Sequence, residues 1–363
     1  MTNTLSLFYD RDVGAVQGLA FDEAMTEAVG TGSLDAALRL YSYRDHVLLI
    51  GRFQRVEAEL DLLAAKGLGM DVNRRPTGGG AIMMGSGQLG VALAVADTKS
   101  LPAKVHLIAF AEALAGALRA FGVEASLRGK NDLCVGDRKI AGLGSYRSTS
   151  GAVLLHASIL MGIDIDLMCS VLKIPAAKYA DSFARSMQER ITTLQEEVDG
   201  GCDRGELCEA LVGAFANGLE SVTCRGDNES LKVASAQIAT ERYSTQEWLF
   251  SGGRNTAEGA DVSYRTSLGT IVLHLVVQGG IISKASVSAD FLENHAGLNQ
   301  LESALTYVPL VSGSLRDRIT AVVPFRGLVD ATGLAASITQ TFEDRESSPI
   351  RIGSCYLEEE FAR

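Results

Sequence analysis

The chain has 363 residues, 47% of them hydrophobic and 21% charged, with only 6 prolines; this suits a folded protein with more than one core and excludes a disordered or low-complexity chain. Its 33 basic and 44 acidic side chains leave a formal net charge of −11, which excludes a general nucleic-acid binder and requires any anion site to be local. The start MTNTLSLFYDRDV has neither a positive leader nor an apolar core, and no later apolar run approaches the ~20 residues that span a bilayer, so a cytoplasmic protein without a membrane partner is expected.

The apolar positions Val16, Leu19, Ala20, Met25, Ala28 and Val29 recur at helical intervals, and Gly30 follows as a stop. The period then changes. Leu38–Tyr43 and Val47–Ile50 are short aliphatic and aromatic runs separated by Arg44, Asp45 and His46, which predicts a strand pair with a polar connection. Leu107, Phe110, Ala111, Leu114, Leu118 and Phe121 line one face of a core-facing helix that Gly122 ends. Val153 to Met161 alternates as a strand, with Leu155, Ala157, Ile159 and Met161 on one face and His156 and Ser158 on the other. Beyond Trp248 the chain is strand-like: Ile271, Leu273, Leu275 and Val277 alternate, Gln278–Gly280 turns, and 281–287 returns. The last hundred residues read as a small α+β unit.

The cysteines at 134, 169, 202, 208, 224 and 355 show no C-x-x-C spacing, and the five histidines are far apart. Reduced structural thiols and no zinc site are expected. Chemistry concentrates instead in two segments. In RRPTGGGAIMMGSGQLG, from Arg74 to Gly90, three consecutive glycines free backbone N–H groups to approach an anion. Arg74 and Arg75 could add guanidinium donors there, and Thr77 a hydroxyl. No Walker lysine and no G-x-G-x-x-G turn is present, and the bland alternative is a flexible turn with solvated arginines. In GKNDLCVGDRKIAGLGSYRS, from Gly129 to Ser148, a Gly136-Asp137 hairpin signal brings Asn131 and Asp132 toward Lys139. Asp132 suits Mg²⁺ carried by nucleotide phosphates; Lys139 could place a compact charge on a phosphate or carboxylate. Its bland alternative is a hairpin cation paired with Asp137.

RRPTGGGA resembles the RRxSGGGA signature of the lipoate-protein ligase A family, and NDLCVGDRKIAGLGSYR is similar to its NDxxVxxRKxSGxAxxR segment. RLYSYRDHVLLIGRFQ resembles the family's strand pair with its GRxQ end, HASILMGIDID its HGTLLxxxD strand, and MQERITTL its VxSRVTNL segment. WLFSGG and LGTIVLHLVVQGGIISKASVSADF resemble its carboxy-terminal accessory domain. The resemblance implies an α+β fold with mixed sheets, of the biotin/lipoate ligase type, over 1–244, and a small α+β accessory domain over 245–363. It implies ATP and Mg²⁺ as cofactors, lipoate or octanoate as substrate, and acyl-AMP as intermediate. The partner would be a lipoyl carrier, such as an E2 domain or a glycine-cleavage H protein, and the enzyme a monomer.

Carried over by position, Lys139 is the expected catalytic lysine. Arg75, Thr77, Gly78, Gly79, Gly80 and Ala81 are expected on the nucleotide and acyl-adenylate loop, Asn131 and Ser145 beside the adenylate, and Asp132 on Mg²⁺. The chain departs from the family where GGGAVxHDxG becomes GGGAIMMGSG, so Met84 and Gly85 replace a His-Asp pair, and where Ala157 follows His156. Three other readings stand beside the ligase: a cysteine-dependent octanoyl or lipoyl transferase using Cys134 or Cys169, a biotin ligase, and a binding protein without turnover.

Overall fold

A computed structural model of the chain describes residues 4–97, 100–173, 187–224, 228–251, 259–292 and 296–346. Cys355 lies outside them. The five described cysteines are free thiols, and no described helix is long and apolar enough to cross a membrane.

Two compact units emerge, one of Met1–Asn255 with Ser288–Asn294, the other of Thr256–Val287 with His295–Arg363. The first is built on an eight-stranded mixed sheet of order β11-β1-β2-β6-β10-β9-β8-β7. Its strands are β1 (Thr4–Val13), β2 (Ala36–Tyr43), β6 (Gln88–Ala96), β7 (Ala125–Arg128), β8 (Asp132–Val135), β9 (Arg138–Arg147), β10 (Ala152–Leu160) and β11 (Ser221–Cys224). A second sheet orders β4 (Asp71–Arg74), β3 (Val47–Ile50) and β5 (Ile82–Met84). The strand pair expected from Leu38–Tyr43 and Val47–Ile50 is therefore corrected: β2 pairs with β1 and β6, whereas β3 pairs with β4 and β5. Both runs are buried throughout except at the first residue of β2, and strands that buried can each sit inside a different sheet.

Alternation along each strand divides the core into two layers. Leu155, Ala157, Ile159 and Met161 face Leu107, Phe110, Leu114 and Leu118 of helix Ala103–Arg119, and Leu207 and Leu211 of helix Arg204–Ala216 close the same layer. On the opposite face, Leu154, Ala152, Ala92 and Tyr41 pack against Leu19, Ala20, Ala24 and Met25 of helix α1 (Ala15–Gly30), with Leu49 and Met84 of the small sheet. A third cluster joins Leu48, Ile50 and Met83 to Leu160, Met168 and Ile191. Helix Glu229–Ile238 contributes Leu231 to the α1 layer, so the chain past residue 228 still belongs to the first unit.

The second unit carries an antiparallel sheet of order β12-β13-β14-β15, comprising β12 (Ala260–Arg265), β13 (Thr270–Gln278), β14 (Ile281–Ala289) and β15 (Val308–Pro309). Gly279 and Gly280 join β13 to β14 with φ of 57° and 72°, the positive pair that a two-residue hairpin turn demands. Helices Gly297–Leu305, Ser312–Thr320 and Ala331–Glu346 complete it.

Tyr41 illustrates how closely the sheet face is filled. Its ring lies over Gly90 of β6, where a Cβ would fall 2.6–2.8 Å from three ring atoms. Gly90→Val is therefore expected to lower unfolding free energy by about 1–3 kcal/mol through overpacking, read as a reduced urea midpoint with an unchanged m-value.

Candidate active site

The direction of the Lys139 side chain is set by a defect in β9. Along the β8–β9 hairpin, Asp132 pairs with Gly142 and Leu133 with Ala141, but Cys134 pairs with Lys139. Ile140 is thus the extra residue of a β-bulge. Ile140 and Ala141 both enter the helix-covered core, and Lys139 is turned to the face that carries Asp132, Cys134 and Gly142. Gly136, with φ 58°, makes the turn that allows this hairpin.

That face borders a cavity of about 440 Å³ in the first unit. Arg75, Thr77, Gly80 and Ala81 from the glycine-rich turn line it, together with Asn131, Asp132 and Lys139 from the hairpin. Segments distant in sequence therefore meet. Gly78, Gly79 and Ser145 are not among the lining residues; Ser145 is buried opposite Leu155.

Two glycines of β9 act as a floor for the polar groups. A Cβ on Gly142 would lie 3.0 Å from Lys139 Nζ, and one on Gly144 would lie 3.1 Å from Thr77 Oγ1. Across the sheet, Ser158 sits opposite Gly142 and His156 opposite Gly144, so an ammonium, a threonine hydroxyl, a serine and an imidazole share one patch. Lys139 Nζ is 2.7 Å from Asp132 Oδ1; its partner is Asp132 and not Asp137. Thr77 is fully buried, and its hydroxyl has no hydrogen-bond partner. A buried hydroxyl without a partner beside a cavity is a donor that a ligand oxygen could satisfy.

The arginine pair behaves differently from the sequence expectation. Arg74 is fully buried and donates to the carbonyls of Gly51, Arg52, Gln54, Trp248 and Leu249 at 2.6–3.2 Å. It is a strut and not an anion donor. Arg75 lines the cavity, yet its guanidinium donates to the carbonyls of Leu49 (2.8 Å), Gly78 (3.1 Å) and Gly80 (2.5 Å), bracing the turn from inside. Burial, reinforced by Arg52 and Arg75, pushes the Arg74 guanidinium down to about 9, and burial pushes Arg75 down to about 10. Both stay cationic at neutral pH, and among the described residues neither has a carboxylate partner. Their charge therefore projects a positive potential at the turn. Gly79 N–H is also committed, to Phe291 O at 2.9 Å, and a Cβ on Gly78 would run into the carbonyls of Phe291 and Leu292. That close packing explains the missing side chain at Gly78, and a φ of 94° the one at Gly79, whereas a Cβ on Gly80 would meet nothing within 4 Å.

The rest of the wall is apolar: Leu160, Ile163, Met168, Leu172, Met187 and Ile191, with Ile82, Met83 and Met84 from β5. Where the family has a His-Asp pair, Met84 extends this wall, and Gly85 leaves room for His46, whose Nδ1 a Cβ would meet at 2.7 Å. Cys134 lines the cavity and is 6% exposed; burial, then the Asp132 carboxylate, pushes its thiol up. Cys169 belongs to helix Ile165–Val171, packed against the third cluster, and burial pushes its thiol up too.

Sequence reading missed the polar centre behind this patch. Asp22 is fully buried; its Oδ1 accepts from Arg39 Nη1 at 2.8 Å, and its Oδ2 lies 2.9 Å from His156 Nε2. Arg39 also donates to Asp10 and Gly18 O, and stacks on the rings of Phe21 and Tyr41. Burial favours the neutral acid at Asp22, but Arg39 and then His156 outweigh it and hold the carboxyl below its ordinary range. Two signals were available: Asp22 interrupts the apolar stripe Leu19–Met25, and Arg39 interrupts an otherwise apolar strand.

The mixed sheet thus brings an ammonium, a braced glycine turn and an unpaired hydroxyl to the polar side of an otherwise apolar cavity. The chain belongs to the family of the lipoyl protein ligase A/B catalytic domain, whose model matches residues 15–216, more than half its length. It is an enzyme of the lipoate ligase and octanoyltransferase family, acting in protein lipoylation. Lipoate-protein ligase A subunit 1 of Thermoplasma acidophilum is 32% identical over 63% of this chain and 90% of its own. Octanoyltransferase LipM of Anoxybacillus flavithermus is 28% identical over 64% and 92%. Among solved structures, a bipartite lipoate protein ligase from Thermoplasma acidophilum, described with its E2 lipoyl domain, superposes with a TM-score of 0.63 at 29% identity, covering 71% of this chain and 100% of its own. Lipoate-protein ligase A bound with ATP gives 0.59 at 29%, over 69% and 99%.

Removing the strut is expected to be expensive. Arg74→Met leaves five main-chain carbonyls, those of Gly51 and Gln54 buried, short of a donor, and we expect a loss of about 3 kcal/mol, measured by denaturant unfolding.

Proposed function

We propose that this protein is a cytoplasmic, AMP-forming lipoate-protein ligase, which activates lipoate or octanoate with ATP and transfers the acyl group to a lysine of a lipoyl carrier. One observation carries this reading: Lys139 Nζ and the unpaired Thr77 hydroxyl stand over Gly142 and Gly144, alternate residues of β9, at the polar side of a cavity whose remaining wall is apolar. An acyl chain fits the apolar part and its carboxylate the cationic part. Support for ATP comes from the ATP-bound ligase with a similar fold, and support for an E2 lipoyl domain as carrier from the Thermoplasma enzyme described with one.

In activation, a carboxylate oxygen of lipoate attacks the α-phosphorus of ATP, the bond to the bridging oxygen breaks, and pyrophosphate leaves. Lys139 neutralises charge on the reacting oxygens, and Thr77 donates its hydroxyl to one of them. Arg75 holds the turn in shape from beneath while its buried charge, with that of Arg74, favours the anion. Asn131 Nδ2 already donates to Leu143 O at 2.8 Å, leaving its carbonyl oxygen for the nucleotide. Asp132 would hold Mg²⁺ arriving with the phosphates: one partly exposed carboxylate suits an ion that keeps most of its waters, and among the described residues no cluster could bind a metal unaided. The ion supplies charge neutralisation on the phosphates. In transfer, the carrier lysine attacks the acyl carbonyl and AMP departs, within a wall that excludes water.

A second reading has one observation in its favour. Cys134 is the described cysteine that lines the cavity, on the same strand face as Lys139, as an acyl-thioester transferase would require. Its burial and raised thiol favour the protonated form, which is a poor nucleophile.

Pyrophosphate release with lipoate and ATP, followed by mass spectrometry of an E2 lipoyl domain, decides between them. The wild type and Cys134→Ser are expected to acylate the carrier lysine only when ATP is present, and Lys139→Ala to lose at least ~100-fold. Acylation from an octanoyl carrier without ATP, abolished by Cys134→Ser, would establish the transferase instead. Thr77→Val removes a hydroxyl with no protein partner, so thermal stability should hold or rise, while kcat/KM for activation falls about tenfold.

A further inference from the structure

Departure of pyrophosphate leaves one chemical need unassigned. A nucleoside triphosphate carries most of its charge on the two outer phosphates, and more gathers there as the bond to the α-phosphorus breaks. The cations already placed in the cavity are committed elsewhere: Lys139 is paired with Asp132, and the Arg75 guanidinium donates to three main-chain carbonyls. We propose that Arg190 binds the β- and γ-phosphates of ATP and holds them as pyrophosphate leaves, an inference that rests on the ligase reading above.

Arg190 belongs to the segment MQERITTL, which has no role in that reading. It borders the cavity with Asn131, Asp132 and Lys139, and it is exposed. Among the described residues its guanidinium makes no ion pair or hydrogen bond. Arg138, next to Lys139 in the chain, is by contrast paired with Glu196 and Glu197. Of the two arginines that line the cavity, Arg75 and Arg190, Arg190 is thus the one whose donors are available to a ligand.

The backbone around it is fixed against the lysine. Residues 187–190 form a helical turn, and Ile191 N–H donates to Met187 O at 3.0 Å. Ile191 then makes a parallel bridge with Lys139, and Thr192 N–H donates to Lys139 O at 2.9 Å. The Thr192 hydroxyl and the Arg138 guanidinium both reach Glu197 Oε1, at 2.6 Å each, which fastens the segment to the hairpin. The Arg190 backbone therefore lies roughly 6 Å from that of Lys139, close enough for the two cations to engage successive phosphates of one ligand. A guanidinium meets phosphate oxygens bidentately, and the more exposed of the two cations suits the outer pair. In activation the carboxylate oxygen bonds to the α-phosphorus, the bond from that phosphorus to the bridging oxygen breaks, and pyrophosphate leaves with the electron pair. Arg190 offsets the charge that arrives with it. In transfer AMP is the leaving group and no outer phosphate remains, so Arg190 has no part in that step.

The test uses Arg190→Gln and Arg190→Lys, at an exposed side chain without a protein partner, so both variants should fold. Lipoate-dependent pyrophosphate release is measured over series of ATP and lipoate, with added pyrophosphate as inhibitor. In parallel, lipoyl-AMP is supplied and acylation of an E2 lipoyl domain is followed over a series of carrier concentrations. For Arg190→Gln, kcat/KM for ATP is expected to fall about 100-fold and inhibition by pyrophosphate to weaken about tenfold, with KM for lipoate unchanged and transfer from lipoyl-AMP within about twofold of wild type. Arg190→Lys should recover part of the loss, because it keeps the charge and loses the fork. Equal losses in both half-reactions would mark a structural role and overturn the proposal, as would ATP kinetics at the wild-type level. A defect confined to KM for the carrier would overturn it too, and would assign Arg190 to docking. If the wild type releases no pyrophosphate from ATP and lipoate, this proposal and the ligase reading fall together; normal wild-type turnover beside an unaffected variant removes only this one.

Discussion

The chemistry of this fold depends on a single extra residue in β9. Side chains alternate along a pleated strand, so an uninterrupted register would carry Lys139 to the face of Ala141, into the helix-covered core, where an ammonium could not be solvated. The bulge at Ile140 reverses that. It buries two successive apolar residues and delivers the ammonium to the face where Gly142 and Gly144 leave room for it. Without the glycines the space would be filled; without the bulge the charge would point elsewhere.

The same economy governs the turn between β4 and β5. Arg74 and Arg75 are too buried to reach a ligand freely, and both spend their hydrogen bonds on main-chain carbonyls. They nonetheless bring two uncompensated charges to the wall of a protein whose formal net charge is −11. Screening by water is weak at that depth, so the site can attract an anion although the surface as a whole repels one. Rigidity and potential come from the same side chains.

Behind the sheet face, Asp22, Arg39 and His156 form a polar centre inside an otherwise hydrophobic layer. Removing one member would leave another charge buried and unpaired, which makes such a set costly to maintain. Its position against the cavity ties that cost to a group that ends in the site, the imidazole.

Periodicity in the sequence was enough to locate α1, helix Ala103–Arg119, β10 and the β13–β14 hairpin, because each buries one face and repeats at its own interval. Glycine spacing and the lysine marked both segments that border the cavity, and matching motifs indicated the family. Which sheet each strand joins was not legible: β2 and β3 carry the same kind of apolar run, and pairing is decided by partners far along the chain. Nor was the fate of Arg74 and Arg75, since a guanidinium reads alike in sequence whether it meets a phosphate or a carbonyl. The direction of Lys139, the lack of a hydrogen-bond partner for the buried Thr77 hydroxyl and the contact of Asp22 with His156 were settled by tertiary structure alone, because each results from strands and helices that meet only once the chain has folded.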